Sequence, residues 1–548
     1  MSATVRPTSV RRALGHVATA IALVVLWVAL VAPVPAIGWA ATPLAALRVP
    51  IEGVVLLAAL LVLPGRVRRW LAVVVGVLLG AMLTLRVLDG VFVATLYRPF
   101  NALTDWRYAG SARDLVGDSM GPTVALLVVA GAALVLLGLL VLVPWAVLRV
   151  GRLVQRHRPV AWRVVAAGAI VWAVCAPLGV SVGRDLPVAA ATTATLTAHE
   201  VTTVREAAAD RAAFATQIPV DAFAGTRPDQ LLTALRGKDV VVVFVESYGR
   251  VAVEQSPDVA RALSAGTSSL RADGWSTRSA WLTSPTFGGI SWLAHSTLQS
   301  GLWVSSQQRY DQLLDTRRLT LTRAFSQAGW RTVDVVPANF RDWPEGQAFY
   351  GYDRVYDRRT LGYAGPGYGY APMPDQFTLA AFDRLELAKT DRARVMAEVD
   401  LVTSHVPWAP LPRLVDWSEV GDGSVFLADA GKAPTRDVVW RSTDRIRTAY
   451  GQTVAYSLDS VVSFLRGTQD ENLVVLVLGD HQPVSVVSGE NASHDVPVTL
   501  VTRDPAVLQR IHGWGWQEGL RPGTDAPVWP MDRFRDRFLT AYGPGGDG

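Results

Sequence analysis

The segment Val240-Val-Val-Val-Phe-Val-Glu246-Ser-Tyr-Gly249 decides the fold of the second half of this 548-residue chain. A run of apolar, mostly β-branched residues ends at a carboxylate, and small, turn-forming residues follow. A buried parallel strand has this composition, and it delivers the residue after it to the carboxyl edge of the sheet. The pattern returns where Leu473-Val-Val-Leu-Val-Leu-Gly479 runs into Asp480 and His481. We therefore expect Glu246, Asp480 and His481 to meet at one edge of a sheet.

Strand-like and helix-like runs alternate from Gly237 to the end of the chain. The strand-like runs are 240–245, 332–336, 394–403, 473–478 and 496–501, and the helix-like runs are 257–273, 291–299, 319–328, 377–387 and 442–465. This alternation predicts an α/β domain with a mostly parallel sheet and helices on both faces. The Gly- and Tyr-rich stretch 361–370 is predicted to be a surface loop that can move over the site.

The first part of the chain is too apolar for a soluble protein. Half of all residues are hydrophobic and 18% are charged, against about a quarter charged in soluble domains. The predicted transmembrane helices, each near the roughly 20 residues that span a bilayer, are Leu14–Ile37, Leu44–Leu63, Leu71–Leu96, Val124–Leu148 and Val164–Val182. We expect a five-helix transmembrane domain over 1–188, a juxtamembrane helical linker over 189–236 and an extracytoplasmic catalytic domain over 237–548.

Arginines gather at alternate ends of these segments. They precede the first, separate the second from the third, and separate the fourth from the fifth (Arg6, Arg11, Arg12; Arg66, Arg68, Arg69; Arg149, Arg152, Arg156, Arg158, Arg163). The other loops carry Arg48 alone, or Arg98, Arg107 and Arg113 diluted by Asp105, Asp114 and Asp118. The positive-inside rule then predicts a cytoplasmic N-terminus and an outer location beyond Ser181. A composition rich in Ala, Val, Arg and Gly is typical of GC-rich bacterial genomes, so we expect a multi-pass protein of the bacterial plasma membrane.

The net charge of +5 arises largely in the arginine-rich loops, which favours contact with lipid and argues against nucleic acid as a partner. The single cysteine, Cys175, lies in the fifth predicted helix. The outer domain therefore has neither disulfides nor thiolate metal ligands. Arg86 and Asp89, near the outer end of the third helix, are predicted to pair with each other or to contact a lipid head group.

A candidate nucleophile lies between the two ligand strands, in Ser284-Pro-Thr286-Phe-Gly-Gly-Ile-Ser291-Trp-Leu-Ala-His295. A hydroxyl that follows a Gly-Gly turn and opens a helix lies at the positive end of the helix dipole. Ser291 fits this position, and Thr286 is the rival. A divalent cation bound by Glu246, Asp480 and His481 would lower the pKa of the Ser291 hydroxyl and polarise a phosphoryl oxygen. Oxygen and imidazole ligands suit Mn²⁺, Mg²⁺ or Zn²⁺.

These motifs resemble the alkaline phosphatase and sulfatase superfamily. Its members carry a Cys, Ser or Thr nucleophile at the start of a helix, ten residues before a small residue–Gly pair, as from Ser291 to Gly301. The resemblance makes Ser291 both nucleophile and metal ligand, with Glu246, Asp480 and His481 as the other ligands. It gives His295 a catalytic role, because nucleotide pyrophosphatases have His there. A formylglycine sulfatase would need a Pro and an Arg that this segment lacks, which disfavours sulfate-ester hydrolysis.

Within the superfamily, helices followed by an outer domain most resemble lipoteichoic acid synthase and related phosphoglycerol transferases. Their first ligand is Glu and their nucleophile is Thr, which keeps Thr286 open. The segment around His405 resembles a substrate-side loop, where an imidazole holds a phosphate oxygen or protonates a leaving alkoxide. Arg341 and Trp343 resemble a head-group segment, with Arg341 binding phosphate and Trp343 lining the glycerol; a packed Trp with a solvated Arg is equally open. His494 is a candidate second-metal or pocket ligand, with a capping or loop role as its alternative.

The sequence thus predicts a membrane-embedded, metal-dependent phosphotransferase or phosphodiesterase that forms a covalent phospho-Ser or phospho-Thr intermediate. Its substrate would be a membrane lipid or lipid-linked phosphodiester, and its acceptor an envelope polymer or water. One alternative is a sulfatase-family hydrolase of sulfate or phosphate esters. The other is a non-catalytic envelope scaffold that keeps the fold.

Overall fold

The computed structural model describes residues 7–32, 43–96, 99–103, 105–107, 109–110, 113, 121–182, 186–429, 431–489 and 491–545. The chain forms two compact units, divided between Asp210 and Arg211. Residues 33–37 of the first predicted helix lie outside the described residues, as do Arg6, Arg98, Asp114 and Asp118 of the charge pattern.

Apolar helices make up the N-terminal unit. They are α1 (Pro7–Val31), α2 (Ile51–Val62), α3 (Gly65–Leu96), α4 (Pro122–Arg156) and α5 (Arg158–Cys175); α6 (Thr192–Gln217) begins in the same unit. In the described part, Arg12–Val31, Gly65–Val93, Pro122–Arg156 and Arg158–Cys175 are long and apolar enough to cross a membrane. Many of their large apolar side chains face outward; Leu134 and Val141, for example, are each 71% exposed. Such a surface is suited to lipid rather than water.

The second and fifth helices are shorter than predicted. The helix α2 has 12 residues, about 18 Å at 1.5 Å per residue, against about 30 Å of bilayer hydrocarbon. It begins only after Pro50, which lacks an N–H and pairs through Val49–Pro50 with the strand Ala189–Ala190. The helix α5 ends at Cys175, two residues before Pro177, and Ser181–Val182 forms a short strand with Leu186–Pro187 instead. The predicted ends at Leu44 and Val182 were therefore wrong.

The C-terminal unit is built on one nine-stranded sheet. Its strands are β1 (Asp239–Val245), β2 (Ser276–Thr283), β3 (Arg331–Val336), β4 (Arg354–Asp357), β5 (Val395–Leu401), β6 (Leu473–Gly479), β7 (Asp495–Thr502), β8 (Gln517–Glu518) and β9 (Val528–Pro530). The spatial order is β8-β2-β7-β6-β1-β5-β3-β4, and β9 pairs with β2. The neighbours from β6 to β4 are parallel, whereas β7 is antiparallel to both β6 and β2. The mostly parallel sheet is confirmed.

Helices cover both faces of this sheet, as predicted. They are α7 (Arg250–Gln255), α8 (Pro257–Ala272), α9 (Ser291–Ser300), α10 (Gln307–Leu314), α11 (Leu321–Gln327), α12 (Pro344–Tyr350), α13 (Asp375–Phe382, continued by a π-turn over Asp383–Leu387), α14 (Arg436–Val439), α15 (Thr443–Gly467), α16 (Ser485–Ser488), α17 (Pro505–Gln509) and α18 (Phe534–Tyr542). Alternate residues of β1 enter opposite cores: Val241 packs towards α8 and α15, and Val242 towards α9, α11 and α18. Every residue of β1 and β6 is buried, which explains their continuous apolar runs.

Candidate active site and metal centre

Glu246 follows β1 directly and lies at the carboxyl edge of the sheet. It is 9% exposed, and its Oε1 accepts a hydrogen bond from Ser247 Oγ over 2.7 Å. Its backbone is fixed on both sides: its N–H donates to Leu401 O of β5 over 3.0 Å, and its carbonyl accepts from Ser404 Oγ over 2.6 Å. The parallel pairing of β1 with β5 therefore fixes where this carboxylate points.

Asp480 and His481 follow β6, the neighbour of β1 in the sheet. Asp480 Oδ1 accepts from the backbone N–H groups of Ser247 and His481, each over 2.7 Å. His481 Nδ1–H donates to the carbonyl of Gln482 over 2.8 Å, so its Nε2 keeps a lone pair for a ligand. Both side chains are 1% exposed. The backbone thus orients both residues before any ligand arrives.

Ser291 is the first residue of α9 and lies against this group. Its Oγ is 3.1 Å from Glu246 Oε2, to which it donates, and 3.2 Å from His481 Nε2. The turn before it is built from residues at positive φ, namely Gly288 at 73°, Gly289 at 154° and Ile290 at 66°. This reversal lets α9 begin beside the carboxyl ends of β1 and β6. Gly288 and Gly289 tolerate such angles at little cost, whereas Ile290 adopts a conformation that β-branched residues rarely take. The loop is also tied to the second ligand loop, as Gly288 N donates to Gln482 O over 2.9 Å.

The donor set fits a divalent cation. One ligand atom each of Glu246, Asp480 and His481 lie within 4.8 Å of one another. His481 Nε2 is 3.5 Å from Glu246 Oε1 and 3.3 Å from Asp480 Oδ2. Two buried carboxylates that face one imidazole repel each other unless positive charge lies between them. Oxygen and imidazole donors without thiolate match Mn²⁺, Mg²⁺ or Zn²⁺.

The two carboxyl groups of this cluster differ in acidity. Burial alone would raise the pKa of Glu246, but the neighbouring His405 and His481 and the Ser247 hydroxyl bring it down to about 2. Burial and the Glu246 charge together raise the pKa of Asp480 to about 6. Glu246 is thus ionised at neutral pH, whereas a negative charge on Asp480 is unfavourable. A bound cation would offset that unfavourable charge.

His295 lies one turn along α9 from Ser291 and belongs to a second group, with Glu398 and Asp400 of β5. Its Nδ1 is 2.8 Å from Glu398 Oε1 and 3.7 Å from Asp400 Oδ1. Its ring stacks on Phe244 at 3.7 Å. Burial lowers the pKa of His295, but the carboxylates of Asp400 and Glu398 outweigh it and raise that pKa to about 9. At neutral pH His295 is therefore a cation beside the ligand cluster.

Glu398 is held in place by further polar groups. Its Oε2 accepts from Tyr352 OH over 3.0 Å and from Gln299 Nε2 over 2.5 Å. The sequence prediction missed Glu398 and Asp400. The signal that could have found them is the alternation in Met396-Ala-Glu398-Val-Asp400, where polar residues recur every second position on one face of a strand.

His405 lies near Glu246 and is covered by Tyr370. The two rings stack at 3.6 Å. His405 Nδ1–H donates to the carbonyl of Val406 over 2.6 Å, which leaves its Nε2 as a proton acceptor. Burial lowers the pKa of His405 against the opposing pull of Glu246, so the imidazole is neutral. Tyr370 ends the stretch 361–370, for which the sequence predicted a surface loop over the site.

Thr286 lies in the loop before α9, and His494 packs against that loop. The Thr286 side chain is 6% exposed, and its Oγ1 lies 3.4 Å from Ser284 Oγ. His494 Nδ1 donates to Ser284 O over 3.3 Å, and its ring lies 5.3 Å from that of Phe287. In the described contacts, neither residue touches Glu246, Asp480 or His481.

Arg341 and Trp343 lie in the segment before and at the start of α12. Arg341 is exposed. Trp343 packs in an aromatic cluster, with its ring 5.6 Å from that of Tyr350, and contacts its own helix at Gly346. Neither residue is among the described contacts of the ligand cluster. The geometry of Trp343 is the packed one of the two alternatives.

The chain is similar to several solved structures of other proteins. No protein-family model and no curated protein matches the chain. The integral membrane protein lipooligosaccharide phosphoethanolamine transferase A from Neisseria meningitidis is 14% identical, with 94% of this chain and 93% of that one covered and a TM-score of 0.42. The lipoteichoic acid synthase LtaP from Listeria monocytogenes is 15% identical, with 57% and 74% covered and a TM-score of 0.40.

The phosphoglycerol transferase GacH from Streptococcus pyogenes, solved with sn-glycerol-1-phosphate, is 12% identical, with 62% of this chain and 91% of that one covered and a TM-score of 0.34. Lipoteichoic acid synthase and phosphoglycerol transferases are also the proteins that the sequence motifs resemble. At 12–15% identity, these activities are properties of the matched proteins and are not assigned to this chain on that basis.

Proposed function

We propose that this protein is a membrane-bound, metal-dependent phosphotransferase that acts on a lipid or lipid-linked phosphodiester. The observation that carries the proposal is the position of Ser291 Oγ, 3.1 Å from Glu246 and 3.2 Å from His481 at the first residue of a helix. A hydroxyl in this place has a hydrogen-bond acceptor for its proton and the positive end of α9 behind it.

Glu246, Asp480, His481 and Ser291 would hold the metal. When bound, a divalent cation supplies positive charge that lowers the pKa of a hydroxyl and offsets charge on phosphoryl oxygens. The chain supplies the remaining positive charge through His295, which its carboxylate partners keep protonated. We assign His295 to the binding of a phosphoryl oxygen, where an imidazolium stabilises the transferring group.

The reaction proceeds in two displacements. In the first, Ser291 Oγ bonds to phosphorus and loses its proton, while the phosphorus–oxygen bond to the lipid alcohol breaks and that oxygen takes up a proton. In the second, an acceptor hydroxyl loses its proton and bonds to phosphorus, and Ser291 Oγ leaves and recovers a proton. The neutral His405, with Nε2 available, is suited to take the acceptor's proton.

The phospho-enzyme is the species that tests this proposal. Full-length protein in detergent is mixed with a phospholipid and MnCl₂, quenched with acid and digested, and mass spectrometry locates any phosphorylated residue. We expect the modification on Ser291. A metal-free protein without modification or phosphodiester cleavage would instead support the scaffold alternative.

The ligand assignment is tested with Asp480→Asn. Asn keeps an oxygen for the Ser247 and His481 N–H groups but removes a carboxylate whose charge is unfavourable in its buried place. We expect an unchanged or higher melting temperature without metal, no further rise on adding Mn²⁺, and no turnover. Asp416→Asn, on an exposed turn, is the matched control and should keep the metal-dependent rise. Full turnover in Asp480→Asn at saturating Mn²⁺ would remove Asp480 from the site.

A further inference from the structure

A second polar cluster lies buried in the N-terminal unit. Arg86 of α3 is 4% exposed, and Thr192, the first residue of α6, is 0% exposed. Both occur among helices whose other faces are apolar. Buried charged groups in such surroundings are costly, and they are kept where they bind an ion or a substrate. The predicted Arg86–Asp89 pair does not form, because Asp89 Oδ1 accepts from Phe100 N over 3.0 Å while Arg86 reaches elsewhere.

Arg86 and Glu52 converge on the first turn of α6. The Arg86 guanidinium donates from NH1 to Ala29 O over 2.8 Å and from NH2 to Thr193 Oγ1 over 3.3 Å. Glu52 Oε1 accepts from the next residue's backbone, Ala194 N, over 2.9 Å. Since Thr193 and Ala194 are consecutive, the guanidinium and the carboxylate meet beside one helix start. Arg48, which is 0% exposed, adds a second guanidinium to the electrostatic surroundings of Arg86.

The cluster holds donors and an acceptor that the described residues do not use. Arg86 Nε and Thr192 Oγ1 are buried donors without a hydrogen-bond partner, and Glu52 Oε2 is a buried acceptor without one. Each such group costs on the order of 1–3 kcal/mol when it stays unpaired. A cleft of about 630 Å³ lies along this helix start, lined by Glu52, Thr193, Thr197, Val201, Thr202 and Arg205 among others. Glu52 borders this cleft directly. Arg86 and Thr192 adjoin its wall at Thr193, which accepts a hydrogen bond from Arg86 and follows Thr192 in the chain.

We propose that this cluster binds the head group of a phospholipid that carries both a phosphate and a hydrogen-bond donor. The phosphate would accept from Arg86 Nε and Thr192 Oγ at the positive start of α6. A hydroxyl or ammonium of the same head group would donate to Glu52 Oε2. The acidic neighbours Asp89 and Glu200, both buried, disfavour a purely anionic ligand such as inorganic phosphate. The site is independent of the catalytic proposal.

Lipid binding to the intact protein tests this site. Full-length Ser291→Ala protein, which cannot turn lipid over by the proposed route, is titrated in detergent with phosphatidylglycerol, phosphatidylethanolamine or phosphatidylcholine, and bound lipid is counted by native mass spectrometry. We expect the first two to bind about tenfold more tightly than phosphatidylcholine, whose head group has no hydrogen-bond donor. Thr192→Val and Arg86→Lys should each weaken their binding about tenfold.

Thr84→Val is the matched control, because Thr84 lies on α3 and its hydroxyl bonds only within that helix, to Gly80 O; its lipid affinity should equal that of the parent protein. Thr192→Val should fold normally, since the Thr192 hydroxyl has no partner among the described residues of the chain. Equal affinity for phosphatidylcholine, or full affinity in both Thr192→Val and Arg86→Lys, would overturn the proposal and leave the cluster as a brace between helices. Displacement of lipid by inorganic phosphate alone would overturn it in favour of a soluble phosphate ligand.

Discussion

Ser291 and Thr286 are only a short turn apart in sequence, yet their hydroxyls have different neighbours. Ser291 Oγ bonds to Glu246 and lies beside His481, whereas Thr286 Oγ1 lies next to Ser284. We therefore predict that Ser291→Ala lowers the rate about 10³-fold or more, the scale for loss of a covalent nucleophile, and leaves no phospho-enzyme. Thr286→Ala should cost much less. Steady-state cleavage of a lipid phosphodiester measures both, and the opposite ranking would make Thr286 the nucleophile.

The charge of His295 depends on Glu398, because removing that carboxylate removes a partner of the imidazolium. The pKa of His295 is about 9 in the folded protein, above the roughly 6.5 of a free imidazole. The pairing thus contributes to stability fully below about pH 6.5, and the contribution is lost as the pH rises through about 9.

We predict that Glu398→Gln destabilises the protein by on the order of 2 kcal/mol near pH 6, and that the deficit shrinks towards pH 10. Melting temperatures of the two proteins across this range give the difference. Glu254→Gln, at an exposed carboxylate of α7, should show no such trend. If wild type and Glu398→Gln keep a constant difference from pH 6 to pH 10, Glu398 does not set the charge of His295.

Between β1 and β6, the two ligand loops approach closely because position 479 is Gly. A Cβ there would overlap the carbonyl oxygen of Tyr248 and lie 2.8 Å from its carbonyl carbon, in the loop just after Glu246. We predict that Gly479→Ala separates the two loops, costs roughly 1–3 kcal/mol of stability and weakens metal binding. Unfolding in urea and metal titration measure the two effects.

Gly467→Ala is the control for this change. Gly467 is the last residue of α15, and a Cβ there would meet nothing within 4 Å. It should leave both stability and metal affinity nearly unchanged. Normal metal affinity in Gly479→Ala would mean that the spacing of the loops does not govern the ligand cluster.

The elements that deliver the predicted ligands could be read from the sequence, because each is an apolar run that ends sharply. The runs 240–245 and 473–478 became β1 and β6 within one residue, and the hydroxyl after the Gly-Gly turn opens α9 at Ser291. The strand β2 could not be read, since its first residues Ser276-Thr-Arg-Ser are polar and its partner β7 is far away in sequence. Such pairings depend on tertiary packing rather than on local pattern.

The partners of the site were harder to predict than its ligands. Glu398 and Asp400 lie more than a hundred residues from His295, and only the pairing of β5 with β1 brings them close. Tyr370 reaches His405 from a loop without regular structure. These contacts need the sheet order, and a single sequence holds no direct signal for it.

At the scale of the whole molecule, the proposed activity requires that the site of the α/β unit faces the compartment that contains its substrate. The arginines at the described ends of α3, α4 and α5, such as Arg66, Arg152 and Arg163, are the basis for orientation. By the positive-inside rule they predict a cytoplasmic N-terminus and an outer location for the α/β unit. This topology depends most on whether α2 crosses the membrane, because a helix of about 18 Å spans only a thinned or protein-lined part of a bilayer.

We therefore predict that alkaline phosphatase fused after residue 200 is active in bacterial cells, and that green fluorescent protein fused at the same point is dark. Fusions after Arg69 should give the reverse pattern, because that site lies in the arginine-rich first turns of α3, which the same rule predicts to be on the cytoplasmic side. Removing the positive charge of this segment, by replacing Arg66, Arg68 and Arg69 with Gln, should lower the fraction of molecules whose α/β unit is exported. Fluorescent protein at residue 200 would mean that α2 does not cross the membrane, and that four spans leave the α/β unit in the cytoplasm.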